Sequence, residues 1–264
     1  MTILIVSLVS LIMGLILNIF IYRIPKDDDD VQWVWPKCES CQRDLKLLEM
    51  FFPLNLFLNK GKCPKCSNKT YPRPLAVTLV TVLVNLLLLF KFQISFEFFA
   101  FSYLMMILIM VFFIDYDFFI IPDRFIVLGI LGGLILAVYN IFYEFPFFMD
   151  RSWWNPLVGC LSVSLLLLII SLIGTMIYKT DAMGMGDVKL FVPIGLFLGW
   201  RMVIEAFILS AMVGGLISGI LLILGKRKLK EAVPFGPFIV AGTFLTILFG
   251  KEILQWYLQF YPQS

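Results

Sequence analysis

Gly184-Met185-Gly186-Asp187-Val188-Lys189 stands where a short polar segment (Lys179, Thr180, Asp181) gives way to an apolar run beginning at Leu190. Asp187 therefore lies at or just inside a membrane boundary. An aspartate at the centre of a membrane helix costs roughly 2.5 to 3.5 kcal/mol on insertion scales, so an acid here is a functional hypothesis by default. The two glycines let the backbone turn sharply, or let another chain approach closely, before a helix starts at the aspartate. The plainer reading is a glycine-rich helix start with an acid on its N-terminal dipole. A second acid elsewhere in the chain decides between the two.

The surrounding composition fixes the setting. In 264 residues, 61% are hydrophobic and 15% charged, with a mean hydropathy of +0.95. This is the composition of a polytopic membrane protein. The apolar runs approach the roughly 20 residues needed to cross the hydrocarbon core and lack two-residue alternation, which selects an all-α protein over a barrel. Eight helices are expected, over residues 2–22, 74–90, 98–114, 125–142, 156–178, 188–200, 202–224 and 237–257. The stretch 188–200 is too short to cross unaided, as expected of a half-membrane helix lining a cavity. The net charge of +3 gives no reason to expect a nucleic-acid partner, and the absence of histidine removes His-based triads and His metal sites.

Residues 2–22 carry no charge, run too long for a signal peptide and lack its small-residue cleavage site, so they read as a retained first helix. Residues 23–73 are the one polar stretch large enough for an extramembrane domain, with Asp27, Asp28, Asp29 and Asp30 as a solvated linker. The expected plan is thus a first helix (1–22), a polar domain (23–73) and a membrane domain (74–264). Ten Lys and Arg residues between Arg23 and Arg73 make the first large loop cytoplasmic by the positive-inside rule, with both chain ends outward.

The polar domain carries Cys38-Glu-Ser-Cys41 and Cys63-Pro-Lys-Cys66. Four thiolates can surround a tetrahedral zinc, each C-x-x-C turn presenting two sulfurs to the metal. The alternative is a pair of disulfides, which rarely persist in the cytosol. Four cysteine ligands close the coordination shell, so a zinc here is structural, contributing on the order of 10 kcal/mol to folding. Between the knuckles, residues 45–58 are too apolar for a free surface loop and are expected to pack on the membrane domain or lie at the lipid interface. Cys160, in an apolar run, reads as packing.

The second acid comes from Phe113-Ile114-Asp115-Tyr116-Asp117-Phe118-Phe119-Ile120-Ile121-Pro122-Asp123-Arg124. Pro122 breaks any continuous helix. By the eight-helix count this junction and Gly184 to Asp187 share the cytoplasmic side. Two carboxylates in a partly dry site repel and can hold one proton between them, so one acts as base on a water while the other donates to a scissile carbonyl. Asp115 is the stronger partner for Asp187, since it abuts the helix ending at Ile114. Asp123, followed by Arg124, also fits a helix cap, and Asp117 a solvated loop residue.

At this point the chain resembles the bacterial type IV prepilin peptidases, membrane aspartic proteases of the G-x-G-D class. Gly14-Leu-Ile-Leu-Asn18-Ile-Phe-Ile-Tyr22-Arg23-Ile-Pro25 resembles the family's first-helix exit. The double C-x-x-C domain, the I-D-x-D-x-x-x-x-P-D pattern of residues 114–123, Gly184 to Lys189, and Pro234-Phe235-Gly236-Pro237-Phe238 follow in order. The resemblance implies that Asp115 and Asp187 are the catalytic pair, with Gly184, Gly186, Lys189, Asp117 and Asp123 binding substrate or supporting the site. For Lys189 the alternative is a snorkelling helix-end lysine; Asn18 and Arg23 read as structural ahead of the alternative, substrate contacts. The implied substrates are type IV prepilins or pseudopilins of a pilus or type II secretion apparatus, cut on the cytoplasmic side of the inner membrane. Members with the cysteine domain then methylate the new amino group with S-adenosylmethionine. This sequence departs from the family's R-Y-P-L-V-E after the second knuckle, reading Tyr71-Pro72-Arg73-Pro74-Leu75-Ala76-Val77-Thr78 with no glutamate. The departure bears on methyl transfer and leaves both acids of the protease signature intact. A competing reading is a non-catalytic zinc-binding membrane scaffold whose acids serve only as helix-end caps.

Overall fold

Where no water is present to satisfy backbone N–H and C=O groups, a spanning segment must bond within itself, and helices do so. The computed structural model of the chain describes residues 1–22, 38, 41, 43, 62–66, 73–149, 152–178, 184–225 and 233–259. Among these, seven helices are long and apolar enough to cross a membrane, and there is no strand. They are α1 (Thr2–Tyr22), α2 (Arg73–Phe92), α3 (Phe96–Phe118), α4 (Asp123–Phe142), α5 (Asn155–Tyr178), α6 (Met185–Ile223) and α7 (Gly236–Gln259), with a 3-10 turn at Pro146–Phe148 before α5. The expected linker at Asp27 to Asp30, the apolar stretch 45–58, and Arg23, Lys179, Thr180 and Asp181 lie outside the described residues.

The seven helices and the eight expected differ at α6. Its 39 residues would extend about 58 Å if straight, nearly twice the thickness of a hydrocarbon core. It is not straight. Gly199 has φ 76° and ψ 173°, outside the helical region and open to glycine at little cost. The Phe191 and Phe207 rings, 16 residues apart, lie 5.9 Å centre to centre, whereas a straight helix would separate those positions by about 24 Å. The segment therefore folds back on itself into arms 185–198 and 200–223. Counted by arms the described chain has eight helical stretches, with the break at residue 199 and not at 201. Buried Asn155 holds the corner: its Oδ1 accepts from the Trp200 N–H at 3.0 Å and its Nδ2 donates to the Phe148 carbonyl at 3.2 Å. A Cβ on residue 199 would come 2.3 Å from that Oδ1.

The chain divides into two compact units, Met1–Phe90 and Lys91–Ser264. In the first, α1 and α2 run antiparallel, with Gly14 against Thr78. Buried Asn18 donates through Nδ2 to the Gly14 carbonyl at 2.9 Å and to the Pro74 carbonyl at 3.2 Å, so its role here is to clamp the two helices.

In the second unit the helices approach through small residues, the usual means of close packing where lipid removes the hydrophobic drive between helices. Gly129 and Gly133 of α4 face Pro193 and Leu196 of the first arm, while Gly159 of α5 meets the backbone of Gly195. α7 runs antiparallel to the second arm, Phe238 against Gly214 and Gly242 against Ser210. α3 starts at Ser95, whose side chain accepts the Phe98 N–H, and it continues past Ile114, four residues beyond its expected end. Its last turn, residues 115–118, leaves the apolar run without leaving the helix, because Phe119 in the left-handed conformation (φ 58°) closes it with an N–H bond to the Asp115 carbonyl. Asp115 and Asp117 are accordingly helical residues, not the residues of a break. Pro122 sits extended at φ −67°, ψ 129°, and α4 begins directly after it.

Candidate active site

Four helix ends bring the predicted residues together. Asp115 occupies the last turn of α3 and is 5% exposed. Its Oδ2 accepts the backbone N–H of Gly236, the first residue of α7, at 2.9 Å. Asp187 occupies the first turn of α6 and is half-buried; its side chain curls back over Gly184, where a Cβ would sit 3.3 Å from Oδ2. Asp115 lies near enough to Asp187 for its charge to act there. Among the described residues neither carboxylate has an ion-pair partner.

The supporting residues sort differently. Gly186 packs on Ile121, so the turn that carries Asp187 rests against the connection leaving α3. Lys189 donates to both oxygens of Asp123, at 2.9 and 3.0 Å, tying the first turn of α6 to the first turn of α4. Asp123 therefore does not cap α4 in the expected way: Pro122 holds the cap position with no side-chain bond, and Asp123 is the first helical residue, paired across to Lys189. Asp117 is exposed on the last turn of α3. Gly184 lies exposed at the cap of α6.

One participant was missed as a functional contributor. Gly236 appeared in sequence only as part of a resembling Pro-Phe-Gly-Pro-Phe stretch; here its backbone touches Asp115 so closely that a Cβ would fall 2.6 Å from Oδ2. The available signal was a glycine followed by proline at a helix start, a place for an unpaired N–H and a close approach.

The four cysteines form a separate cluster in the first unit. Their sulfurs all lie within 4.8 Å of one another, with Cys38 and Cys66 at 3.7 Å and Cys41 and Cys63 at 3.8 Å. These are not disulfide distances, which are about 2.05 Å. They match a tetrahedron of sulfurs at about 2.3 Å from a central zinc, whose edge is about 3.8 Å. The backbone N–H groups of Cys66 and Lys65 pull the Cys63 thiol down to about 6, which favours the thiolate that a metal requires. Leu15 and Ile19 of α1 cover the cluster. The donor set thus fits zinc. For S-adenosylmethionine the described residues offer no glycine-rich loop after a strand, and no residue is assigned to it.

A helical membrane bundle with two acids meeting at a polar boundary and a closed four-thiol cluster defines the class: a multi-pass membrane protein with an aspartyl pair. The comparisons narrow it. Residues 102–219 match the type IV leader peptidase family, and residues 8–92 match the bacterial peptidase A24 N-terminal domain. Relatives named prepilin leader peptidase/N-methyltransferase include one from Bacillus subtilis, 30% identical over 94% of this chain and 96% of its own length. One from Legionella pneumophila is 29% identical, covering 98% of this chain and 95% of its own. A third, from Aeromonas salmonicida, is 25% identical, covering 96% and 92%. The chain belongs to the type IV leader peptidase family. No solved structure matches it.

Proposed function

We propose that this chain is a membrane aspartic endopeptidase that removes the leader of type IV prepilins or pseudopilins at the cytoplasmic face of the inner membrane. Asp115 and Asp187 are its catalytic pair. The observation that carries the reading is the approach of a buried acid on α3 to an acid on the first turn of α6, with no cation beside either among the described residues. Like charges held in a partly dry site favour a single shared proton. One carboxylate then takes a proton from water as that water attacks the scissile carbonyl, and the other protonates the carbonyl oxygen.

The substrate's apolar helix stays in the bilayer while its leader junction enters the site from the polar side. The cysteine cluster holds a structural zinc, and a closed four-sulfur shell leaves it no role on a reacting water. Methyl transfer, the second activity in the relatives' name, would draw its methyl group from S-adenosylmethionine; residues 71–78 lack the glutamate of the family pattern, which bears on that activity and not on cleavage.

The scaffold reading has one observation in its favour: Asp115 does cap α7 through Gly236. A cap alone gives no reason to hold a second acid beside the first, at a like-charge cost. Co-expression with a prepilin separates the readings. Leader removal gives a mobility shift that Asp115→Ala and Asp187→Ala each abolish in protein that still inserts; full cleavage by either variant refutes the pairing. Mass spectrometry of the mature N-terminus reports the cut site and any added methyl group together.

A further inference from the structure

The two aspartates are alike in type and unlike in surroundings. Asp115 receives a direct backbone donor, the Gly236 N–H at 2.9 Å. That N–H is an orphan of a helix start, with no carbonyl of its own helix to serve it; the Phe235 carbonyl is taken by Phe238 and Ile239. It also lies at the positive end of the peptide dipoles of α7. Only glycine admits the approach, since a Cβ would stand 2.6 Å from Oδ2 and 3.0 Å from Cγ of Asp115. Asp187 has the dipole of its own helix start, but among the described residues its carboxylate receives no hydrogen bond. A donor to a carboxylate makes a charge-assisted bond and favours the ionised form.

We infer that Gly236 is a positioning residue that gives the pair its direction: its N–H keeps Asp115 as the carboxylate that accepts a proton from water, and Asp187 holds the proton that goes to the peptide carbonyl. This rests on the peptidase reading above. In the first step the water oxygen bonds to the carbonyl carbon, Asp115 takes one water proton, and the carbonyl oxygen takes the proton of Asp187. In the second, Asp115 gives its proton to the amide nitrogen, the C–N bond breaks with its electron pair on nitrogen, and a hydroxyl of the tetrahedral carbon returns a proton to Asp187. An acid and an amine leave, and the pair again holds one proton.

The test uses the purified full chain and a prepilin. Gly236→Ala keeps the N–H and drives a methyl group into the Asp115 carboxyl. Expected is a kcat lower by about 10- to 100-fold with KM within about 3-fold, and an acid limb of the kcat/KM profile moved toward neutral by on the order of one pH unit, because a carboxylate that loses its donor is easier to protonate. Gly214→Ala is the control for packing damage alone: its Cβ would meet the Phe238 side chain of α7, at 3.0 Å. Its acid limb should stay in place. An unmoved limb and unchanged kcat in Gly236→Ala overturn the inference. Should Gly236→Ala not accumulate, infrared spectra of wild type and Asp187→Asn decide: loss of a protonated-carboxyl band in Asp187→Asn supports the assignment, and its retention overturns it. Cleavage by Asp115→Ala or Asp187→Ala sinks the peptidase reading itself; two inactive variants with a contrary limb or band sink only the direction.

Discussion

The second unit carries a pair of acids at each end, and the two pairs differ in where the nearest lysine goes. At one end the charge of Asp115 acts on Asp187, while Lys189, two residues from Asp187, turns away to Asp123. At the other, Glu205 of α6 and Glu252 of α7 also act on each other, but Lys91 pairs directly with Glu252. Lys251, beside Glu252, bonds the Pro146 carbonyl and lies over the Phe147 ring, on the rim of a cleft of about 460 Å³ also lined by Lys91, Gln93 and Glu97. A like-charge pair with a cation beside it relaxes into an ordinary ion pair; a pair denied one must share a proton. Acid content does not separate the two ends. The route of a lysine does.

The sharpest way to break this contrast is to neutralise both pairs one residue at a time. Asp115→Asn and Asp187→Asn should each lower prepilin cleavage by at least about 10³-fold, since an amide cannot exchange the proton that the chemistry moves. Glu205→Gln and Glu252→Gln should stay within about 3-fold of wild type, removing charge far from any reacting atom. A timed gel assay on membranes with matched protein levels reads all four. Equal losses at the two ends would show that the acids act through folding and would end the distinction.

The thiol cluster extends the comparison to a third group of acidic side chains, which the proposed zinc would neutralise. Metal analysis of the full chain should find about one zinc per protein, and Cys38→Ser with Cys63→Ser should lose it. Retained zinc in that double variant would rule out the ligand set. Chelation should expose Cys63 to alkylation at neutral pH. Its folded thiol is depressed to about 6, so the thiolate persists above that pH and reactivity falls as pH drops through it. Added zinc should protect it.

A smaller effect is expected from Lys91→Met, which leaves Glu205 and Glu252 with only the weaker influence of Lys251. Glu252 is 57% exposed in its side chain, so water screens much of the repulsion and the loss of stability should not exceed about 1 kcal/mol. Thermal unfolding in detergent measures it, and cleavage should be unchanged. A large loss of cleavage would mean that the far end communicates with Asp115 and Asp187.

Much of this was legible in the chain. Composition and uninterrupted apolar runs gave the helices, since lipid leaves the backbone no other way to satisfy itself, and the spacing of Cys38, Cys41, Cys63 and Cys66 pointed to the clustering of the four sulfurs. The two acids were legible as polar breaks in apolar sequence. What escaped depends on backbone placement. The end of α3 was set four residues early because hydropathy stops at Ile114, whereas the helix stops at the left-handed Phe119. The fold-back at Gly199 rests on one positive φ and on Asn155, 44 residues earlier in the chain. Gly236 contributes a main-chain N–H, and a side-chain alphabet does not spell those.

The finest test concerns Lys189 and Asp123. Their side chains are 47% and 69% exposed, so the pair contributes little to stability, within the ~0.2 to 1 kcal/mol of exposed ion pairs. Its geometry matters more than its strength, because it fastens the turn bearing Asp187 to the start of α4 and keeps the lysine off the proposed catalytic acids. Lys189→Ala should lower kcat only about 2- to 5-fold. Asp123→Ala should cost more than Lys189→Ala, because it releases a lysine free to neutralise Asp187, and that extra loss should shrink at high salt as the freed charge is screened. The exchange Asp123→Lys with Lys189→Asp should restore the tie in reverse and recover activity above either single variant. Identical losses in the two alanine variants, with no recovery on exchange, would show that the ammonium serves substrate directly and that its diversion to Asp123 is incidental.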